Sequence, residues 1–432
     1  MTNLLVELFV EELPPKALKK LGEAFGNTIA KSLQGDKVAS VDSVITVFAS
    51  PRRLAVHITD VLSKAPDESK RYKLMPAKVG LQPDGTPTAA LQKNLEAKYG
   101  GLHTAVGDRL VTAKEGDADY IYLERDVVGY RLQGCLHDAL QQAIRTMPIP
   151  KVMSYQLQDG WTSVSFVRPA HGLIALYGSE VVHIDGVLGL TASNTTQGHR
   201  FEAKVSPVVV TDADSYAETL KRDGSVIASF AERRDEIVRQ LASTAAKVGG
   251  GCKPIEDDAL LDEVTALVER PNVLVCEFEK EFLDVPQECL ILTMKANQKY
   301  FPLLDAGGKL TNKFLIVSNI SPKDSSFVIG GNERVVRPRL ADAKFFFDQD
   351  RKKTLASRVE GLGKVVYHNK LGTQGARVER VRAIARAIGQ QLGGDVLAKK
   401  ADQAAHLAKT DLVTDMVGEF PELQGTMGRY YA

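Results

Sequence analysis

Between Leu292 and Lys353 the period of the sequence changes, and that change limits the folds open to the chain. Leu303 and Leu304 run into Asp305-Ala306-Gly307-Gly308, a hairpin signal, and Phe314 to Ser318 form a compact apolar run suited to a half-buried strand. After Gly330-Gly331-Asn332, read as part of a polar loop, the pattern is different. Arg334, Arg337, Arg339 and Lys344 are interleaved with Leu340, Ala341, Phe345 and Phe346, which predicts a helix with one apolar and one cationic side. Upstream of this stretch strand and helix signals alternate; beyond Lys353 strand signals nearly vanish. The expected fold class is therefore α+β and multidomain: an α/β domain with a mixed sheet over residues 1–205, a second α/β domain over 206–340, and a helical domain over 341–432.

The first domain opens with a strand over residues 4–10, a helix from Pro15 to about Leu33, and strands at Val44–Phe48 and Val56–Val61. Ser50-Pro51-Arg52-Arg53 forms the turn between these two strands, and its arginines suit a ligand clamp or else are solvated or paired with nearby carboxylates. Lys64 to Thr88 is a passage rich in Pro, Gly and Lys, followed by a helix from Thr88 to Tyr99 that Gly100-Gly101 ends. Asp119–Leu123 is strand-like, Leu132–Met147 has helical spacing stopped by Pro148 and Pro150, and Val164–Val167, Leu173–Leu176 and Val181–Val187 are short apolar runs. Two successive helices are expected between Asp214 and Val248, an acidic helix over Asp257–Glu269 and a strand over Val273–Phe278. The Gly249-Gly250-Gly251 run is a turn, since no Lys-Ser or Lys-Thr follows at the phosphate-loop offset. The last part is expected to hold helices at Leu355–Leu362, Arg377–Leu392, Val396–Ala408 and Leu412–Phe420.

Charge separates the parts more sharply than composition does. The chain has 55 basic and 54 acidic residues, yet residues 331–400 hold 16 Lys and Arg against 7 Asp and Glu, while residues 1–330 hold 37 against 42. A basic block on an otherwise neutral protein is the footprint of a nucleic-acid contact surface, or else a solvated helix face. The candidate contacts are Arg334, Arg337, Arg339, Lys344, Arg351, Lys352 and Lys353, with Arg377, Arg380 and Arg386; the first three are expected along one rim. Arg339 and Lys344 have an alternative, internal pairing with Asp342, Asp348 or Asp350. The N-terminal run MTNLLVELFVEELPP lacks a basic start, carries acids among its apolar residues and is broken by Pro14-Pro15, so neither a signal peptide nor a membrane span is expected and the cytosol is the expected location. Cys135, Cys252, Cys276 and Cys289 show no CxxC spacing, which argues against a disulfide framework or zinc knuckle. His171 and His199 lie far apart with no third ligand beside either, and read as structural.

QKYFPLLDAGGKL, GNE followed by RLADAKFFFDQD, the later LGT, and AKTDLVTDMVGEFPELQGTMGRYYA together resemble the beta chain of the bacterial two-subunit glycyl-tRNA synthetase. VELFVEELPP, SPRRLAV at 50–56, FVRPAHG at 166–172, GHRF at 198–201 and LLDEVTALVERPNVL at 260–274 fall in the same family order. Two positions depart from it: where the family reads lysine, any residue, Met, Arg, Trp, this chain has Lys151, Val152, Met153, Ser154 and Tyr155.

The resemblance implies α/β domains similar to the central region of the phenylalanyl-tRNA synthetase beta chain, then a helical domain similar to HD phosphohydrolases. It implies that this chain grips tRNA(Gly) and assembles with an alpha chain as an alpha2beta2 heterotetramer. ATP and magnesium then sit at the alpha chain, with no catalytic residue, cofactor or metal in this one. Editing is not carried over, because a pocket that excludes any Cβ already rejects amino acids larger than glycine. The competing functions are an HD-type metal-dependent phosphohydrolase and an RNA-binding scaffold. For the former, His368, His406, Asp411 and Asp415 are the candidate ligands, but no adjacent His-Asp pair is present and Ala408-Lys409-Thr410-Asp411 stands in its place. The end at Tyr430-Tyr431-Ala432 falls inside a motif that lies mid-domain in the family, so a fragment without the anticodon-binding domain is expected.

Overall fold

The computed structural model describes residues 1–100 and 108–432, and it divides into two compact units, Met1–Phe230 and Ala231–Ala432. Both mix helices with sheets, in keeping with the α+β expectation.

In the first unit the apolar run of Thr2–Val10 is buried along almost its whole length, which a strand tolerates only when both faces of its sheet are covered. It lies mid-sheet, in the order Glu180–Val181, Ala170–Tyr177, Thr2–Val10, Arg53–Val61, Ile45–Ser50. These neighbours are antiparallel, and Ala192–Ser193 joins Ala170–Tyr177 in parallel, so the sheet is mixed. The helix Pro15–Gly35 covers one face through Leu18, Leu21, Phe25, Ile29 and Leu33, with Leu132–Thr146 beside it. A Cβ at Gly22 would stand 2.6 Å from the Ala49 Cβ, and one at Gly26 the same distance from Val47 Cγ2, so the helix lies this close only because it carries glycine there. On the other face Leu5, Phe48, Ala55, Ile174 and Leu176 pack with Val208, Val210, Tyr216, Leu220 and Val226.

The Pro, Gly and Lys-rich passage Lys64–Thr88, to which the sequence assigns no element, contains a strand. Glu68–Pro76 is a strand in a three-stranded antiparallel sheet, ordered Glu68–Pro76, Ala118–Val127, Arg109–Glu115. Its turns are local and legible: Thr88 caps the helix Ala89–Tyr99 by accepting from the Leu91 amide, and Gly100 ends it at φ +76°. Gly101 lies outside the described residues.

The second unit has a four-stranded antiparallel sheet ordered Lys253–Pro254, Phe301–Leu304, Leu310–Ser318, Asn272–Glu277. Ile237, Leu241, Leu260 and Val264 pack on one face against Leu303 and Leu315. On the other, Phe278, Met294 and Phe314 meet Val336, Leu340, Ala343 and Phe347 of the helix Ser326–Asp350, which in turn packs against Met416, Phe420 and Met427. That helix starts before Gly330-Gly331, where the sequence suggested a loop. Both glycines face open space and so cost it only propensity, while the buried stripe Val336, Leu340, Ala343, Phe347 secures the remainder. It runs without interruption through residue 340, where the change of composition falls.

Beyond it the chain is mostly helical, with one small hairpin of Val366–His368 and Gly372–Thr373. The expected pair of helices after residue 377 is present as Gln374–Leu407, interrupted at Gly393 and Gly394, the latter at φ +63° and ψ −159°. Only glycine occupies that region without strain. Among the described residues no helix is long and apolar enough to cross a membrane.

Candidate nucleic-acid interface

The helix Ser326–Asp350 buries Val336, Leu340, Ala343, Phe347 and Asp350, leaving its flanks to solvent. Arg337, Lys344 and Arg351 are each seven residues apart, about 20° from repeating on an α-helix, so they form one stripe with Arg334 close by. Arg339 does not join them. Two residues from Arg337 is about 200° of turn, which puts Arg339 on the opposite flank rather than on the shared rim its sequence position suggested. Lys352 and Lys353 extend the stripe just past the helix, both exposed. Arg377 and Arg386 are nine residues apart on one helix, about 180° of turn, so they do not share a face either.

Internal contacts occupy part of this set. Arg337 Nε donates to Glu279 Oε1 at 2.5 Å, and Lys344 Nζ donates to Asp348 Oδ2 at 2.8 Å, one of the internal pairings that the sequence leaves open. The hydrogen bond that Lys344 donates to Asp348 raises the ammonium pKa, so the lysine stays charged. Arg351 lies 5.3 Å from the Phe347 ring centroid and Arg377 4.6 Å from that of Tyr367, while Lys352 donates to Gln349 and Arg380 to the Leu371 carbonyl. The cations in these contacts are exposed or half-exposed and water screens their charge, so each remains available to a polyanion. The chemistry on offer is phosphate contact, which positions an RNA without reading its sequence.

The motifs of the first unit converge at one end of the central sheet. Arg53 is fully buried: its guanidinium donates to Ser50 Oγ and to the Gln197 carbonyl, and it lies 3.5 Å from Glu7 Oε2, to which the Tyr216 hydroxyl donates at 2.5 Å. Of the readings of this turn, pairing with a carboxylate is the one Arg53 adopts, and burial rules out the solvated one for it. His199 is buried, its Nδ1 accepting from the Phe201 and Glu202 amides, and His171 Nε2 lies 3.1 Å from Glu11, which also pairs with Arg200. These four motifs are thus tied to each other by the fold, a relation their spacing conceals.

The family profile described as "Glycyl-tRNA synthetase beta subunit" matches residues 4–432. The chain belongs to that family. It is 69% identical over 437 residues to the glycine–tRNA ligase beta subunit of Polaromonas naphthalenivorans, 68% over 432 to that of Delftia acidovorans and 65% over 438 to that of Dechloromonas aromatica. Each match covers all of this chain and 61% of the relative, so the chain spans about three fifths of the length of the curated relatives it matches.

The glycyl-tRNA synthetase beta-subunit motifs at the end of the chain owe their residue types to packing. Asp350, buried, accepts from the Asp415 and Met416 amides at 3.0 and 2.9 Å, pairs with Arg358 at 3.1 Å and accepts from the Tyr431 hydroxyl at 3.0 Å. Asp350 is therefore bound to Arg358, and not to Arg339 or Lys344. Of the four candidate metal ligands, Asp411 is buried with its carboxylate directed at the Gly425 and Gly428 amides, 2.5 and 3.2 Å away. His368 is exposed in its hairpin, where Nδ1 accepts from the Lys370 amide, and Asp415 is exposed while its own amide binds Asp350. No group of three or more metal-capable side chains occurs among the described residues.

Proposed function

We propose that this chain is the tRNA-gripping portion of a glycine–tRNA ligase beta subunit, supporting ATP-dependent attachment of glycine to tRNA(Gly) at an alpha chain that holds ATP and magnesium. The observation that carries the reading is the family match over residues 4–432. The stripe of Arg334, Arg337, Lys344 and Arg351, continued by Lys352 and Lys353, supports it as a surface for RNA phosphates. The reading includes an alpha2beta2 assembly in the cytosol, α/β domains similar to the central region of the phenylalanyl-tRNA synthetase beta chain, and an HD-like helical domain. The HD-phosphohydrolase alternative is disfavoured because Asp411 is directed at two backbone amides.

The test is co-purification with the alpha chain of a close relative, followed by tRNA binding and glycine-dependent pyrophosphate–ATP exchange. The chain alone binds tRNA and shows no exchange, and exchange appears when the alpha chain is added. Exchange by a preparation free of alpha chain, or failure to bind tRNA with or without it, overturns the reading.

A further inference from the structure

Among the described residues, the three-stranded sheet of the first unit is covered on one side only. Leu91 and Leu95 of the helix Ala89–Tyr99 pack on Ile121 and Leu123, with Tyr72, Leu74 and Leu110 around them. Alternation then places Arg71, Lys73, Tyr120, Tyr122, Glu124, Arg109 and Glu115 on the opposite face. In register, Tyr122 lies between Lys73 and Val111, and Glu124 between Arg71 and Arg109. Both tyrosines are half-exposed, and the side chains of Arg71, Lys73 and Arg109 are 46%, 45% and 65% exposed, so cationic and aromatic groups meet solvent together.

The face is also pre-organised. The Arg71 guanidinium sits 4.2 Å from the Tyr122 ring centroid and the Lys73 ammonium 3.7 Å from that of Tyr120. Glu115 holds Lys73 at 2.6 Å and accepts from the Tyr122 hydroxyl at 2.7 Å, while Glu124 lies 3.7 Å from both Arg71 and Arg109. Stacked arginine on tyrosine fixes a flat cationic surface, and such planes and rings are what unstacked bases pack against on the sheets that read unpaired RNA. Tyr120 and Tyr122 stand about 7 Å apart along their strand, room for two bases in succession.

We propose that this sheet face binds unpaired RNA, with bases stacked on Tyr120, Tyr122 and the Arg71 guanidinium and phosphates against Lys73 and Arg109. It lies outside the helix Ser326–Asp350 and adds a second kind of contact, base stacking, to the phosphate contacts proposed there. The inference rests on RNA being the ligand of this chain. Three cations against the carboxylates of Glu115, Glu124 and Asp126, which alternation puts on the same face, leave no net charge, so stacking rather than charge carries the affinity here, and salt weakens binding less than it does at the helix.

The test uses the whole 432-residue chain, a labelled ten-nucleotide oligouridylate, a duplex RNA of equal length and tRNA. The oligouridylate binds better than the duplex. Tyr120→Leu with Tyr122→Leu, which keeps apolar bulk but removes the rings, weakens its binding about tenfold or more, whereas Tyr120→Phe with Tyr122→Phe stays within about twofold. The unfolding midpoint, followed in parallel, distinguishes lost stacking from lost packing. Unchanged oligouridylate binding by the double leucine variant, or displacement by polyglutamate as readily as by RNA, overturns the inference; in the second case the face docks protein. If tRNA binding then still responds to Arg337→Glu, the proposed function stands without this site. If the wild-type chain binds neither probe nor tRNA, both fail.

Discussion

The Tyr431 hydroxyl donates to the buried Asp350 carboxylate over 3.0 Å, joining two motifs that lie 81 residues apart. Burial, with the Asp350 charge beside it, pushes the Tyr431 pKa well up, so the phenol remains a donor throughout the ordinary pH range. Asp350→Ala strands Arg358 without its ion-pair partner and leaves two amides unbonded, and is expected to cost about 3–5 kcal/mol. Tyr431→Phe removes one bond to a charged acceptor, at about 1.5–3 kcal/mol. Urea unfolding of both variants measures this; equal, small effects would mean that the network is not cooperative.

Gly394→Ala forces a side chain into a backbone conformation that only glycine adopts freely, and is expected to destabilise by about 1–3 kcal/mol. Gly330→Ala, in open space on a helix, is expected to stabilise by up to about 1 kcal/mol. Thermal unfolding of the two variants should therefore move in opposite directions.

Burial pushes the Cys276 and Cys289 thiols up to about 12 and Cys135 up to about 11, whereas Cys252 is half-exposed. Native labelling with a thiol reagent should modify Cys252 first, and the others only on unfolding. Because the folded values are raised above the ordinary thiol value of 9.0, the stability tied to these groups is full below pH 9 and is lost as pH rises towards 12. The unfolding midpoint should fall over that window, and Cys276→Ala with Cys289→Ala should flatten the fall.

Local signals made much of the fold readable. Thr88 and Gly100 cap their helix where the sequence places its ends, and two helices, Tyr216–Arg222 and Phe230–Val248, do follow one another between Asp214 and Val248. Composition misled in two places. Lys70, Arg71 and Lys73 hide the strand Glu68–Pro76, because a strand with one solvent face alternates charge with apolar residues only weakly in so short a span. The change in composition near residue 340 falls within one helix, since a helix can have strands before it and helices after it while packing on both. Long-range pairing was not readable at all: Tyr216 and Glu7 lie 209 residues apart, and neither residue type announces a buried partner. For the basic set, the sequence supplied the residues but not their phase, and Arg339 was grouped by proximity when helical rotation separates it.

That phase makes a prediction. Charge reversal at Arg339 should weaken tRNA binding less than reversal at Arg337 or Arg351, because it lies on the other flank. Filter binding at one low salt concentration ranks the three, and an Arg339 variant that ranks weakest would move the interface to the opposite flank.

The central claim, that the helix stripe holds RNA phosphates, is tested most directly by Arg337→Glu with Lys352→Glu. tRNA affinity is measured across a salt series together with the unfolding midpoint. The account predicts weaker binding to all tRNAs alike, a log–log salt slope flattened by about one unit per lost contact, and an unchanged midpoint. Wild-type affinity and slope with a lowered midpoint would show that the cations serve the fold, and would contradict it.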